Sequence, residues 1–447
     1  MRNFNLLATD RNSRVVIWLL LFLWATVTYF LNHNTWGDDL AALWFAGHFW
    51  ANGQHTLIYA APELFFNGTP AQWQPFVDAM GIRGEEAFPF IYPPIWAAVM
   101  GPITQIMSAQ TFNNITLALL VAMLAACPVL AEKLARPKWM SYGHFMLYAF
   151  GLLLFAVPVH AAIWLKQPTV LTTFLILLAL VIVQRAPFWA GVAIAIAGAI
   201  KLTPIVFVLV MLQARHRRAL YGALMAVAIC VAASAVIVGP ELHAAFLAQT
   251  HLASESSVMA FMNPSPRVLV HAIMALMGSA PELAITDKNV VIFQPLPMIS
   301  TVLAACALLI ALPALRLMWQ NSGSQARSLS TLGIAIVVFL FGPLSWLHYL
   351  ILPMLLLPAL GYALSPKATW SAMWLVFLTN SNIALFLYAH LQHRLIVSNL
   401  VSTVTWAAVM LCCLWAFAKL NRMQGFAGLS LPGPAKNTLP RQVAPGE

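Results

Sequence analysis

Long apolar runs alternate with short polar clusters from Val15 nearly to Ala418. A helix rising 1.5 Å per residue crosses a hydrocarbon layer of about 30 Å with roughly 20 apolar residues. The runs predict about twelve such helices, over residues 15–31, 111–131, 141–161, 168–184, 187–200, 204–213, 219–238, 295–318, 328–342, 348–364, 369–388 and 396–417. A further apolar stretch, 92–108, would invert every later span if it crossed, and is read as a helix lying on the membrane surface or entering part way. The predicted fold is therefore all-α, a polytopic membrane protein with two long folded loops on one side.

The organisation follows from these runs. Residues 1–14 form a cytoplasmic N-terminus and 15–31 the first transmembrane helix, uncleaved because no small-residue cleavage pattern precedes the polar turn at Asn32. Residues 32–110 are a long outer loop with juxtamembrane helices, one of them a short amphipathic helix over 39–50. Transmembrane helices fill 111–238, a second outer loop spans 239–294, more transmembrane helices fill 295–418, and 419–447 is a disordered cytoplasmic tail. Loops as long as these two usually carry function.

Composition and charge agree with this layout. The chain is 61% hydrophobic and only 8% charged, with a mean hydropathy of +0.82, which excludes a soluble globular protein. The net charge of +10 does not imply nucleic acid, because basic residues concentrate on cytoplasmic loops. With both termini inside, most lysines and arginines fall on the cytoplasmic side, and every acid except Asp10, Glu132 and Glu447 falls outside. The five cysteines lie inside apolar runs with no ligand spacing, and read as packed small hydrophobes.

Ionisable residues within or beside apolar spans are costly and point to a site. Asp38 and Asp39 open the helix at 39–50; an Asp there is either an N-cap or a general base, and the adjacent pair allows one of each. Lys201 interrupts an apolar run whose two arms are too short to cross fully. That places it in a cavity beneath the outer surface, where an ammonium wants an anion such as phosphate, unless it snorkels at an interface. Lys166 with Gln167, and His348 in the turn Ser345-Trp346-Leu347-His348, sit in tight outer turns; each cation can bind phosphate, and a lone His can equally be structural. Asn263 and Arg267 in the second loop are weaker candidates, the simpler role of Arg267 being to pair acids of the first loop. Tyr92 closes Phe90-Ile91-Tyr92 ahead of two prolines. No Walker, dinucleotide, HExxH or GxSxG motif is present, so no nucleotide cofactor is expected. The outer loops hold acids enough for a divalent cation but show no metal-ligand spacing.

In order along the chain, Asp39-Leu40 with Leu43-Trp44-Phe45-Ala46, Gly53, Tyr59, Phe90 to Pro94, Pro102, Lys166-Gln167-Pro168, Ala190-Gly191, Ile200 to Pro204, Asn263-Pro264-Ser265 and Gly342 to His348 resemble one family. It is the GT-C superfamily of glycosyltransferases that use polyprenyl-phosphate sugars, in the branch of the bacterial phosphatidylinositol-mannoside mannosyltransferases. Two positions depart: Lys166 stands where the family tends to have Gly, and Pro264 lies within Asn-x-Ser. The resemblance implies transfer of mannose or a similar sugar from a polyprenyl-phosphate donor to a lipid or glycan acceptor, at the outer face of the bacterial cytoplasmic membrane. It assigns the base to Asp39, with Asp38 as rival, and the donor phosphate to Lys201, His348 and Lys166, with Tyr92, Gln167, Asn263 and Arg267 as further substrate-binding candidates. Partners are the donor, the acceptor and membrane lipids, without nucleic acid. The alternative is a transporter or flippase for a lipid-linked or small anionic solute, with Lys201 in a midplane site.

Overall fold

The computed structural model describes residues 10–63, 65–80, 85–211, 216–278, 284–285, 291–293, 297–320, 323–342, 344–391 and 393–427. The tail expected to be disordered over 419–447 is helical as far as Ala427; residues 428–447, Arg83 and Pro343 lie outside the described residues.

The chain is a helical membrane protein. A first membrane helix, α1 (Asp10–Asn32), is followed by α2 (Asp38–Ala51), α3 (Gln74–Ala79) and α4 (Ile95–Ile106). Next come α5 (Ala109–Ala135), α6 (Tyr142–Phe155), α7 (Val157–Trp164), α8 (Thr169–Ile182), α9 (Pro187–Ile200), a 3-10 segment Thr203–Met211, and α10 (Arg217–Val238). A second cap follows, with α11 (Pro240–Glu255), β1 (Ser257–Met259), α12 (Pro266–Leu276), β2 (Ala284–Ile285) and β3 (Val291–Phe293). The chain ends in α13 (Pro297–Gln320), α14 (Ser324–Phe341), α15 (Ile351–Leu356) between 3-10 turns, α16 (Pro366–Thr379), α17 (Asn382–Ala389) and α18 (Arg394–Ala427). Among the described residues six helices, α1, α5, α10, α13, α14 and α18, are long and apolar enough to cross a membrane. Counting the α7–α8 pair, bent by 120°, as one span makes seven.

Several predicted helices are broken, each for a visible reason. The run at 141–161 splits at Ala156, because Pro158 has no N–H and its ring would clash with the carbonyl four residues back. The run at 369–388 splits at Asn380, and the two breaks meet: Val157 N donates to Asn380 O at 2.9 Å and Ala156 bridges to Ser381. The run at 204–213 is 3-10 rather than α over Thr203–Met211, with Pro204 near its start. The stretch at 92–108 holds the 12-residue α4, roughly 18 Å long.

α2 differs from the amphipathic helix expected of it. Leu40 to Gly47 and Phe49 are all buried, and a helix apolar on every side must be enclosed. One side meets α4, where a Cβ on Gly47 would fall 2.5 Å from Met100 Cβ. Others meet an aromatic core of Phe45, Phe49, Trp73 and Phe90, with Phe45 and Trp73 rings 5.5 Å apart.

In the second cap a small antiparallel sheet, ordered β1-β3-β2, interrupts the helices. It hangs on α18 through Asn399 Nδ2, which donates to Ala260 O at 2.8 Å, and Ser402 Oγ, which donates to Met262 O at 3.1 Å. The position of α9 rests on glycine contacts: a Cβ on Gly191 would fall 1.8 Å from Ala219 O, and one on Gly222 2.1 Å from Phe188 O. Small residues at such a crossing let two helix backbones touch.

Candidate active site

A cavity of about 360 Å³ opens between the first-loop segment, the α7–α8 turn, the end of α9, the second cap and the turn before α15. Its polar lining groups are Asp38, Asp39, Asn67, Tyr92, Gln167, Lys201 and His348, and much of the rest is aromatic, including Phe66, Phe88, Trp164 and Trp346.

Asp38 and Asp39 are the first residues of α2, whose N-cap Gly37 offers no side chain to the free N–H groups. Asp39 is half-buried and accepts a hydrogen bond from Gln167 Nε2. Removal from water raises its carboxyl pKa to about 6, against the opposing effects of the Lys201 charge and the Gln167 hydrogen bond. A carboxylate tuned to that range is matched to proton abstraction near neutral pH.

Lys201 ends α9, where the backbone turns extended. Its Nζ donates to Gln167 Oε1 and to Thr169 Oγ1, both at 2.9 Å. It lies 5.3 Å from the centre of the Tyr349 ring and 5.9 Å from that of Tyr92, over their faces. Two of its three protons are thus engaged. Lys201 also lines a second, smaller cavity of about 50 Å³ whose other walls are mostly apolar, among them Ile176, Phe207, Val338 and Phe339.

His348 is 3% exposed, lines the large cavity and has no hydrogen-bond partner at Nε2 among the described residues. It lies parallel to Trp346, with ring centroids 6.5 Å apart. The cavity therefore has a carboxylate on the α2 side, an ammonium on the α9 side and an unengaged imidazole N on the α15 side.

The structure brings together Asp38, Asp39, Tyr92, Gln167, Lys201 and His348. It does not bring in Lys166, Asn263 or Arg267. Lys166 is fully buried and its ammonium is spent on Thr35 O, Thr35 Oγ1 and Trp36 O at 2.8, 2.9 and 3.3 Å. Asn263 turns back onto its own loop, donating to Val258 O at 2.8 Å, and Arg267 donates to Ser254 O at 3.4 Å. The second cap reaches the cavity through Val258 and Ala260 instead. Sequence reasoning missed Thr169 and Tyr349, which meet Lys201; the signal was their place beside Gln167 and His348. Among the described residues no group of three or more His, Cys, Asp or Glu side chains is placed to hold a metal ion.

No curated protein and no solved structure matches the chain. The model of glycosyltransferase family 87, a family of the GT-C type, matches residues 90–343. That interval holds Tyr92, Gln167, Thr169 and Lys201; His348 lies just past its end, while Asp38 and Asp39 lie about 50 residues before its start. With more than half of its length matched and apolar helices long enough to cross a membrane, the chain is a membrane glycosyltransferase and belongs to glycosyltransferase family 87.

Proposed function

We propose that this enzyme transfers a sugar from a polyprenyl-phosphate donor to a hydroxyl of a lipid or glycan acceptor, by inverting displacement with Asp39 as base. The observation that carries the reading is the convergence of Asp39, Lys201 and His348 on one cavity, with Lys201 also lining a mostly apolar pocket beside it. A lipid phosphate presents that combination: an anion joined to a hydrocarbon chain.

In the transfer, the acceptor oxygen attacks the anomeric carbon as its proton passes to Asp39. The bond from that carbon to the phosphate oxygen breaks, and its electron pair leaves with the lipid phosphate. Lys201 offers its remaining proton to the leaving phosphate and His348 Nε2 offers a hydrogen bond, where negative charge develops. Attack and departure on opposite faces of the sugar invert the anomeric centre, the geometry of single displacement. Trp164, Trp346 and Phe66 supply ring faces against which the apolar face of a sugar stacks.

The same reading gives twelve crossings, both termini in the cytoplasm and a cavity facing outward in a bacterial cytoplasmic membrane, with mannose the first sugar to try. The test is a transfer assay on protein reconstituted in lipid. Polyprenyl-phosphate mannose, glucose and arabinose, each radiolabelled, are offered with an extract of host lipids and glycans. Labelled product from the wild type that disappears with Asp39→Asn supports the reading; product that persists in the variant overturns Asp39 as base.

A further inference from the structure

Lys166 is an ionisable residue at an apolar turn, and yet the donor-phosphate role expected of it conflicts with its surroundings. All three ammonium protons already have acceptors: Thr35 O, Thr35 Oγ1 and Trp36 O. A lysine has no fourth proton for a phosphate.

What those acceptors have in common is their place in the chain. Thr35, Trp36 and Gly37 lead directly into α2, which starts at Asp38. Gly37 at the N-cap has no side-chain oxygen to bond the first N–H groups of the helix, so the usual device for fixing a helix start is missing. Other parts of the protein hold the segment. Asn113 of α5 donates to the same Thr35 carbonyl at 2.7 Å, the Trp36 indole donates to Glu86 O at 2.6 Å, and Lys166 supplies the remaining three bonds.

Two further features show that the contact is built. Lys166 has φ 50°, in the left-handed region that a side chain other than glycine or asparagine rarely adopts unless its surroundings hold it there. Its aliphatic stem also lies against Gly37, where an added Cβ would fall 2.8 to 2.9 Å from Lys166 Cβ, Cγ and Cδ. Glycine at 37 makes room for lysine at 166. The next residue, Gln167, binds the Asp39 carboxylate. Two consecutive side chains of the α7–α8 turn therefore grip the chain on either side of the start of α2.

We propose that Lys166 is a positioning residue: by fixing Thr35 and Trp36 it sets the first turn of α2 so that Asp39 meets Gln167 and the acceptor, and it does not bind the donor phosphate. This rests on the reading of Asp39 as the base. Loss of the ammonium frees the segment, so the carboxylate spends less time in line with the acceptor oxygen, and turnover falls while donor binding does not.

The test uses full-length reconstituted enzyme and the polyprenyl-phosphate sugar that gives product with the wild type. Lys166→Met keeps the stem and removes the charge; Lys166→Gly also relieves the left-handed backbone. Both are expected to lower kcat at least tenfold, while KM for the donor and Kd for polyprenyl monophosphate stay within about twofold. The acid limb of the kcat profile should shift with them. Gly37→Ala keeps the charge and displaces the stem, and should produce the same selective loss; it also serves if the lysine variants do not fold. A tenfold weaker Kd for polyprenyl monophosphate with kcat retained makes Lys166 a phosphate ligand and overturns the proposal. So do wild-type kcat values in the folded variants. Asp39→Asn in the same assay separates the two readings. Full activity there removes the base and the proposal with it, whereas loss there beside unaffected Lys166 variants removes the proposal alone.

Discussion

Asp39 and Lys201 share one partner: the side-chain amide of Gln167 donates from Nε2 to the carboxylate and accepts at Oε1 from the ammonium, the latter at 2.9 Å. A carboxylate and an ammonium in direct contact would neutralise each other; with an amide between them, each keeps a face for substrate. The charges still interact, since the Lys201 charge opposes the rise in the Asp39 pKa that removal from water causes.

Asp39→Asn keeps the shape of the side chain and removes the proton acceptor. A general base contributes roughly 10²- to 10⁴-fold, so kcat should fall within that range while donor KM changes little. Asp38→Asn should cost less than tenfold, because Gln167 holds Asp39 and not its neighbour. Steady-state kinetics on both variants check the order, and a larger loss at Asp38 would reverse the assignment.

Activity should rise with pH through the Asp39 pKa of about 6, because only the ionised form takes a proton. Gln167→Leu removes a hydrogen bond that stabilises that form, so the acid limb should move to higher pH. A kcat profile across roughly pH 5 to 8, in a buffer held at about 0.15 M ionic strength, reads the shift. A limb that stays in place would mean that another group controls it.

Lys201→Met removes the cation nearest the proposed leaving phosphate and also the charge that favours ionised Asp39. Hydrogen bonds to charged groups are worth roughly 1.5–3 kcal/mol, so donor Kd should weaken by about 10- to 100-fold, and the acid limb should move upward. His348→Ala should weaken the donor as well but leave the acid limb near 6, since the histidine does not contribute to the Asp39 shift. Isothermal titration with polyprenyl monophosphate and the pH profile together separate the two residues.

Gly191→Ala places a methyl 1.8 Å from Ala219 O, and neither helix backbone can move aside without parting α9 from α10. Overpacking typically costs about 1–3 kcal/mol. The thermal midpoint in detergent should fall, and because α9 carries Lys201 at its end, donor binding should weaken with it. An unchanged midpoint would show that the crossing is looser than its backbone distances indicate.

Much of this site was legible because polar residues are conspicuous in apolar surroundings. Asp39, Gln167, Lys201 and His348 stand out in the sequence, and all four line the cavity. Their pairing was not legible, since no local pattern says that Gln167 reaches across to Asp39. Lys166 stood out by the same rule but is turned away from the cavity: its acceptors are mostly backbone carbonyls, which carry no sequence signature. Thr169 and Tyr349 stayed hidden because Thr and Tyr are unremarkable in a membrane helix. In the fold, Pro158 announced the break at Ala156, while the matching break at Asn380 depends on a tertiary contact, Val157 N to Asn380 O.

The helices α8 and α9 have 14 residues each, about 21 Å of rise against a hydrocarbon layer of about 30 Å. On the proposed topology, with their other ends at the cytoplasmic headgroups, the floor of the cavity at Thr169 and Lys201 lies below the level of the outer headgroups. On that topology a lipid phosphate would meet Lys201 by lateral diffusion, and bulk water would meet Asp39 through the cavity mouth. An activated sugar held there competes for few water molecules, so the partition between transfer and wasteful hydrolysis is set in part by how far two short helices stop short of the surface.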